Sequence, residues 1–261
     1  MPIETEIVEV DETNVSQQGF FCYKSKPKAE GYSRKLTWLK NRFSEGMKIK
    51  IVYENGKSVG FIEYIPGESA WRAVNADDYL VIHCIWVVGR GKKKGYGSRL
   101  LNECLEDARK SNKHGVAMVT SSGNWLADKK LLVNNGFEVV GHAPPSFDLL
   151  VKKFDDAPPP SFPANWEERL AYFGSGLTIV RSDQYPYIDD DVIRTLKITE
   201  SMGIPAQVIE LQASKEVQDF FTIRVRSLQH RTKRQTAQLS LRDREETSKT
   251  HGRTSKKVIT N

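Results

Sequence analysis

Long hydrophobic runs are missing from this chain. No apolar stretch approaches the roughly 18–20 residues that a membrane-spanning helix needs, so a spanning protein is not expected. The first ten residues, MPIETEIVEV, are acidic and have neither the basic nor the apolar region of a secretory leader, which makes the cytoplasm the expected compartment. Cysteine is scarce. Cys22, Cys84 and Cys104 are an odd number without metal-ligand spacing, so neither a disulfide framework nor a metal site is expected. No cysteine follows Cys104, and thiol–disulfide chemistry is thereby excluded from the C-terminal half. Aromatics are absent from Arg224 onward, which leaves that stretch little with which to build a core.

The charge is unevenly placed. The 261 residues carry a net charge of +6. From Thr222 to the end there are 11 Lys/Arg against 3 Asp/Glu, a balance of +8, so residues 1–221 sum to −2. The basic character belongs to a tail. Without aromatic interleaving or a recognition motif, the tail predicts at most weak, salt-sensitive polyanion binding and no specific nucleic-acid partner.

What is present centres on Leu80–Leu101, LVIHCIWVVGRGKKKGYGSRLL. The apolar run Leu80–Val88 predicts a buried strand. Gly89–Gly97 is glycine-rich and basic. After it Leu100, Leu101, Cys104, Leu105 and Ala108 recur at helical spacing. Strand, glycine-rich loop and helix start together make an anion site, because the free N–H groups and the positive end of the helix dipole point at the loop. A basic glycine-rich turn can equally be a solvated connection. A P-loop is excluded because no Lys-Ser/Thr pair follows Gly95 or Gly97. The dinucleotide fingerprint fails because Lys94 stands where the third glycine is required.

The remaining pattern gives an α/β order. Ile3–Val10 alternates like a half-buried strand, and Ser33–Phe43 places Leu36, Leu39 and Phe43 on one helical face. Met47–Tyr53 and Ser58–Tyr64 flank Asn55-Gly56, a strong hairpin signal. His114–Thr120 predicts another strand and Trp125–Asn134 a helix, stopped by Gly136 before Phe137–Val140.

Lys92-Lys93-Lys94-Gly95-Tyr96-Gly97 resembles the (Q/R)-x-x-G-x-(G/A) pyrophosphate loop of acetyl-CoA-dependent acetyltransferases, with Lys92 where Gln or Arg is usual. Lys130–Val140, ending in Gly136-Phe137-Glu138-Val139-Val140, looks like the segment that follows this loop in the GNAT (Gcn5-related N-acetyltransferase) family. The resemblance covers residues 1–153. It implies an α/β (α+β) GNAT acyl-CoA N-acyltransferase fold with a mixed central sheet. It also implies an N-acetyltransferase that uses acetyl-CoA as co-substrate and acts by direct attack of a small-molecule or peptide amine; a non-catalytic acyl-CoA-binding or interaction protein is the alternative. Carried over from the family, backbone groups of Trp86, Val87 and Val88 would meet the pantetheine arm and polarise the thioester. Amides of Lys92, Lys93, Lys94, Gly95, Tyr96, Gly97 and Ser98 would take the pyrophosphate. A homodimer is a further expectation.

Two residues are candidates for the base. His83, on the central strand, has a reference pKa near 6.5 suited to proton removal at neutral pH, and can equally be a hydrogen-bonded core histidine. Glu63, on the neighbouring strand, can be base, amine anchor or a solvated outer-face carboxylate. Cys84, adjacent to His83, is expected on the opposite strand face and is read as a structural thiol. Many GNAT enzymes have an acidic Tyr four residues before the Gly of the Gly-Phe pair; here that position is Leu132. The family's frequent Asn at the start of that helix is also displaced, with Asn124 one residue early.

Residues 154–165 are proline-rich and read as a semi-rigid linker. Residues 166–223 follow a β-α-β-α order: Gly176–Val180, Asp189–Met202, Ala206–Leu211 and Ser214–Phe221. Gln184-Tyr185-Pro186-Tyr187 lies at the first strand-to-helix turn. This module resembles the YoaP-like module that follows some GNAT domains, and the opening half of a thioredoxin-like fold. Residues 224–261 lack periodicity and are expected to be a disordered basic tail.

Overall fold

The computed structural model describes residues 4–122, 127, 129–164, 173 and 176–219. Eight of the nine described strands lie near a sequence expectation. β1 (Thr5–Val10), β2 (Lys48–Glu54), β3 (Lys57–Pro66), β4 (Tyr79–Val87), β5 (Gly115–Ser121), β6 (Glu138–Ala143) and β7 (Phe147–Lys153) form one sheet in the order β1-β2-β3-β4-β5-β7-β6. β7 is the strand the hydrophobic pattern does not announce. All its neighbour pairs are antiparallel except β4 with β5, so the sheet is mixed. β2 and β3 close through Asn55 (φ 49°) and Gly56 (φ 69°), both left-handed, with Glu54 facing Lys57. A two-residue loop of that geometry matches the twist of its flanking strands.

Both faces are covered, which explains the near-continuous apolar run of β4. On one face α2 (Glu30–Phe43) brings Trp38 and Leu39 onto Ile49, Ile51, Phe61 and Val81. On the other α3 (Tyr96–Lys110) brings Leu100, Leu101 and Cys104 onto Ile62, Tyr64, Ile82 and Ile85. A one-turn helix α1 (Val15–Gln18) precedes α2, and α4 (Lys129–Val133) precedes β6. The remainder of the helix expected over 125–134 falls partly outside the described residues, as does Asn124.

The C-terminal part follows the expected β-α-β-α order: β8 (Leu177–Arg181), α5 (Ile188–Ser201), β9 (Ala206–Glu210) and α6 (Ser214–Asp219). β8 and β9 are parallel and form a separate two-stranded sheet. Its apolar side is nevertheless continuous with the main core. Leu211 and Val217 are buried in the same cluster as Phe61, Trp71 and Val81, with Val180 and Ile209 packed against it. The proline-rich segment is strapped down. Ser161 exchanges two backbone hydrogen bonds with Asn75 at 2.8 and 3.0 Å, and Tyr79 Oη donates to the Pro158 carbonyl at 3.0 Å. The tail expected over 224–261 lies outside the described residues.

Candidate active site

β4 and β5 pair only over Tyr79–Ile82 with Gly115–Met118, although β4 continues to Val87 and β5 to Ser121. The two strands therefore part, and an opening forms in the middle of the sheet where ladder groups have no strand partner. Val88 N–H donates to Val59 O on the β3 side at 2.9 Å. The two-residue alternation of an extended strand then turns the N–H and C=O of Val87 toward the opening and those of Trp86 toward β3. Of Trp86, Val87 and Val88, Val87 alone thus offers its backbone to the gap. Trp86 contributes instead an indole 45% exposed, with Lys92 Nζ 5.6 Å from its ring centroid.

The chain leaves β4 through a single 3₁₀ turn, Gly89–Gly91, and reaches α3 through Lys92–Gly95. Lys93 (φ 63°) and Gly95 (φ 80°) are left-handed, a conformation costly for lysine and free for glycine. Gly95 caps α3 without a side chain, so the N–H groups of Tyr96, Gly97 and Ser98 have no intrahelical acceptor. A Cβ on Gly95 would meet nothing within 4 Å, whereas one on Gly97 would meet Leu131 Cδ1 at 3.1 Å. Gly95 faces open space; Gly97 lets α3 sit against α4. Lys92 and Lys93 are exposed, while Lys94 is held by Glu54 at 2.6 Å.

The base candidates lie at a β-bulge on the α2 face. Glu63 pairs with Cys84 and Tyr64 with Ile82, which leaves His83 as the extra residue of β4. The bulge shifts the alternation, so His83 meets Glu63 and Trp71 while Cys84 also packs on the α2-face cluster and Ile85 returns to the α3 face. The expectation that His83 and Cys84 face opposite ways is corrected by this bulge.

Glu63 is 3% exposed, not solvated; its Oε2 accepts from Lys35 Nζ at 2.9 Å and its Oε1 lies 3.4 Å from His83 Nδ1. Lys35, 2% exposed, also lies over the Trp38 ring at 4.2 Å. Burial pushes the Glu63 carboxyl up, but Lys35 and His83 outweigh it and hold its pKa at about 2. His83 Nε2 accepts the Trp71 backbone N–H at 3.0 Å, so its lone pair is occupied. Burial is the largest influence on its imidazole and brings the pKa to about 4, Arg72 adding in the same direction and Glu63 opposing. A neutral histidine with its lone pair engaged and 1% exposure does not receive a proton from an incoming amine. Burial likewise pushes the Cys84 thiol well up and the Cys22 thiol to about 12, so neither is a nucleophile. Leu132 is fully buried in the α3-face core and supplies no proton.

Sequence reading missed Arg72. Its guanidinium donates to the His83 carbonyl at 2.7 Å, to Gln184 Oε1 at 2.6 Å and to Tyr185 Oη. The only sequence signal is its place after the Pro66-Gly67 break, beside Trp71.

The parted strands, the loop at the start of α3 and the two-faced mixed sheet define an acyl-CoA N-acyltransferase architecture. Residues 13–126 match the model of the acetyltransferase (GNAT) family. It is 29% identical over 215 residues to an uncharacterised N-acetyltransferase of Bacillus subtilis, YoaP, a match covering 81% of this chain and 84% of that protein. The match is too long to be confined to residues 1–153. A second relative, the L-methionine sulfoximine/L-methionine sulfone acetyltransferase of Salmonella typhimurium, is 28% identical over 110 residues, 42% of this chain and 61% of that one. Among solved structures, the PaiA N-acetyltransferase of Thermoplasma acidophilum in complex with coenzyme A matches 58% of this chain and 99% of its own at 15% identity, with a TM-score of 0.42. The comparisons lend the thioredoxin-like reading of the C-terminal module no support. Among the described residues, no helix is long and apolar enough to cross a membrane.

Proposed function

We propose that the chain transfers the acetyl group of acetyl-CoA to the amine of a small, amino-acid-like molecule. The observation that carries this reading is the opening between β4 and β5 leading directly into the Gly95-capped start of α3. The pantetheine arm pairs with Val87 in the opening, as an added strand would, and brings the thioester toward the bulge. The amides of Tyr96, Gly97 and Ser98, with those of Lys93 to Gly95, hold the pyrophosphate, while the Lys92 amide is taken by the Gly89 carbonyl and the exposed Lys92 and Lys93 side chains supply positive charge. The amine nitrogen attacks the thioester carbonyl, the C–S bond breaks, and the amine's proton passes through water to the leaving thiolate. This route asks nothing of Leu132. Glu63 acts as an anchor: ionised between Lys35 and His83, it fixes the bulge beside which the carbonyl lies.

The acceptor class draws on the Salmonella relative, named for L-methionine sulfoximine and L-methionine sulfone. A thiol-release assay with acetyl-CoA across free L-amino acids, these two compounds and lysine-bearing peptides tests the proposal. Release dependent on a free amino acid supports it. Binding of acetyl-CoA without transfer to any acceptor would leave a sensor instead.

A further inference from the structure

The C-terminal part meets the candidate site through one turn, Ser182–Tyr187, between β8 and α5. Gln184 and Tyr185 both accept from Arg72, which in turn holds the carbonyl of the bulge residue His83. Gln184 is 4% exposed, and its Nε2 has no hydrogen-bond partner among the described residues. Tyr187 Oη accepts the Tyr23 N–H at 3.0 Å, and the two rings meet edge-on at 4.5 Å. Arg34, on α2, pairs with Asp183 within the turn and with Asp189 just beyond it.

A cleft of about 600 Å³ lies against this turn. Phe21, Tyr23, Lys24, Val88, Arg90 and Tyr187 are among its lining residues. No carboxylate is among its described lining residues, so the cleft is aromatic and cationic. Phe21 stacks on Phe61 at 4.9 Å in the α2-face cluster, while Val88 packs against the α3-face cluster that holds Tyr96, so the cleft's lining draws on both faces. Through Val88 and Arg90 the cleft adjoins the turn that carries the chain from β4 into the proposed donor loop.

We propose that the C-terminal turn lines the acceptor site, and that Tyr187 together with Phe21, Tyr23 and Lys24 selects an amine carrying an anionic group beside an apolar or aromatic body. The inference rests on the acetyltransferase reading above and deepens it. Tyr187 is the specificity-determining wall; Gln184 and Tyr185 are positioning residues that act through Arg72 on the bulge. The module is then part of the enzyme and not an appended domain.

The test uses the full chain. Thiol release is measured with acetyl-CoA and a panel of free L-amino acids, the corresponding amino acid amides and lysine-bearing peptides. Acetyl-CoA affinity is measured separately by calorimetry. The parent should prefer free amino acids over their amides by about tenfold or more, a difference within reach of one charge-assisted contact. Tyr187→Ala should raise the acceptor KM by about tenfold while acetyl-CoA affinity stays within about threefold, and Tyr187→Phe should recover most of that loss. Lys24→Met should erase the preference for the free carboxylate. Should Tyr187→Ala not fold, Lys24→Met carries the test alone. Unchanged acceptor profiles in these variants would overturn the proposal. An equal loss of acetyl-CoA affinity would also overturn it, since the cleft would then belong to the donor. A parent that binds acetyl-CoA but transfers to nothing in the panel would overturn the transferase reading, and this inference with it.

Discussion

Glu63→Gln removes one charge from a pair that is buried on both sides, with Lys35 and Glu63 side chains 2% and 4% exposed. Breaking a buried ion pair by neutralising one partner costs about 3–5 kcal/mol, because the other charge stays in a medium that cannot solvate it. The folded environment holds the Glu63 pKa below its ordinary value, so the ionised form is the one that folding favours. At ~2–4 °C per kcal/mol for a domain of this size the melting temperature should fall by about 6–20 °C. Gln preserves the shape and one acceptor for His83, so the loss is one of charge. The double variant Lys35→Met/Glu63→Gln should recover part of it, since no buried charge is then left unpaired. Urea melts of the two single variants and the double, arranged as a cycle, measure the coupling directly. A Glu63→Gln protein within about 0.5 kcal/mol of the parent would refute the reasoning, because a solvated carboxylate would then occupy that position.

The pH dependence follows from the same cluster. His83 titrates near 4 in the folded chain against an ordinary 6.5, so between those values the unfolded chain binds more protons and stability falls as pH is lowered. Glu63, held near 2 against 4.5, withdraws its contribution as pH falls below 4.5. Melting temperature should therefore decline steadily from about pH 6.5 downward, and His83→Gln should flatten the upper part of that decline. Truncation near Pro163 should lower the melting temperature sharply or leave the protein insoluble, since it strips Leu211 and Val217 from the core that holds Trp71; size-exclusion and thermal melts of the truncated chain check this. Leu132→Tyr should destabilise by about 1–3 kcal/mol, as the fully buried site has no room for a ring and a hydroxyl; chemical denaturation measures it.

The hydrophobic pattern carried the architecture well where elements are long and two-sided. β4 and α3 are written plainly in Leu80–Val88 and in the spacing of Leu100 to Ala108, and Asn55-Gly56 names its own turn. The glycine spacing located the loop but not which glycine faces open space; only the packing of Leu131 on Gly97 separates it from Gly95. The bulge at His83 was invisible, because an extra residue in a strand leaves the local pattern apolar and merely shifts its phase. That shift decides the neighbours of His83, Cys84 and Glu63, and so the chemistry assigned to them. Composition likewise marked the proline-rich segment as a linker. Prolines permit a strap as readily as a spacer, and the hydrogen bonds of Ser161 and Pro158 that decide between them are long-range. Arg72 had little signature beyond its place after the Pro66-Gly67 break, since its partners come from β4 and from a turn more than a hundred residues away.

The central claim is that acetyl-CoA sits with its pyrophosphate on the Gly95 turn and its thioester in the opening between β4 and β5. Calorimetric titration of acetyl-CoA into the parent and into Gly95→Asp tests it most directly. Gly95 faces open space at φ 80°, so an aspartate there adds about 1–2 kcal/mol of left-handed strain and sets a negative charge where a phosphate oxygen must approach. The parent should bind with one-to-one stoichiometry, and the folded variant should lose about a hundredfold or more in affinity. No binding by the parent, or equal binding by a folded Gly95→Asp protein, would contradict the account.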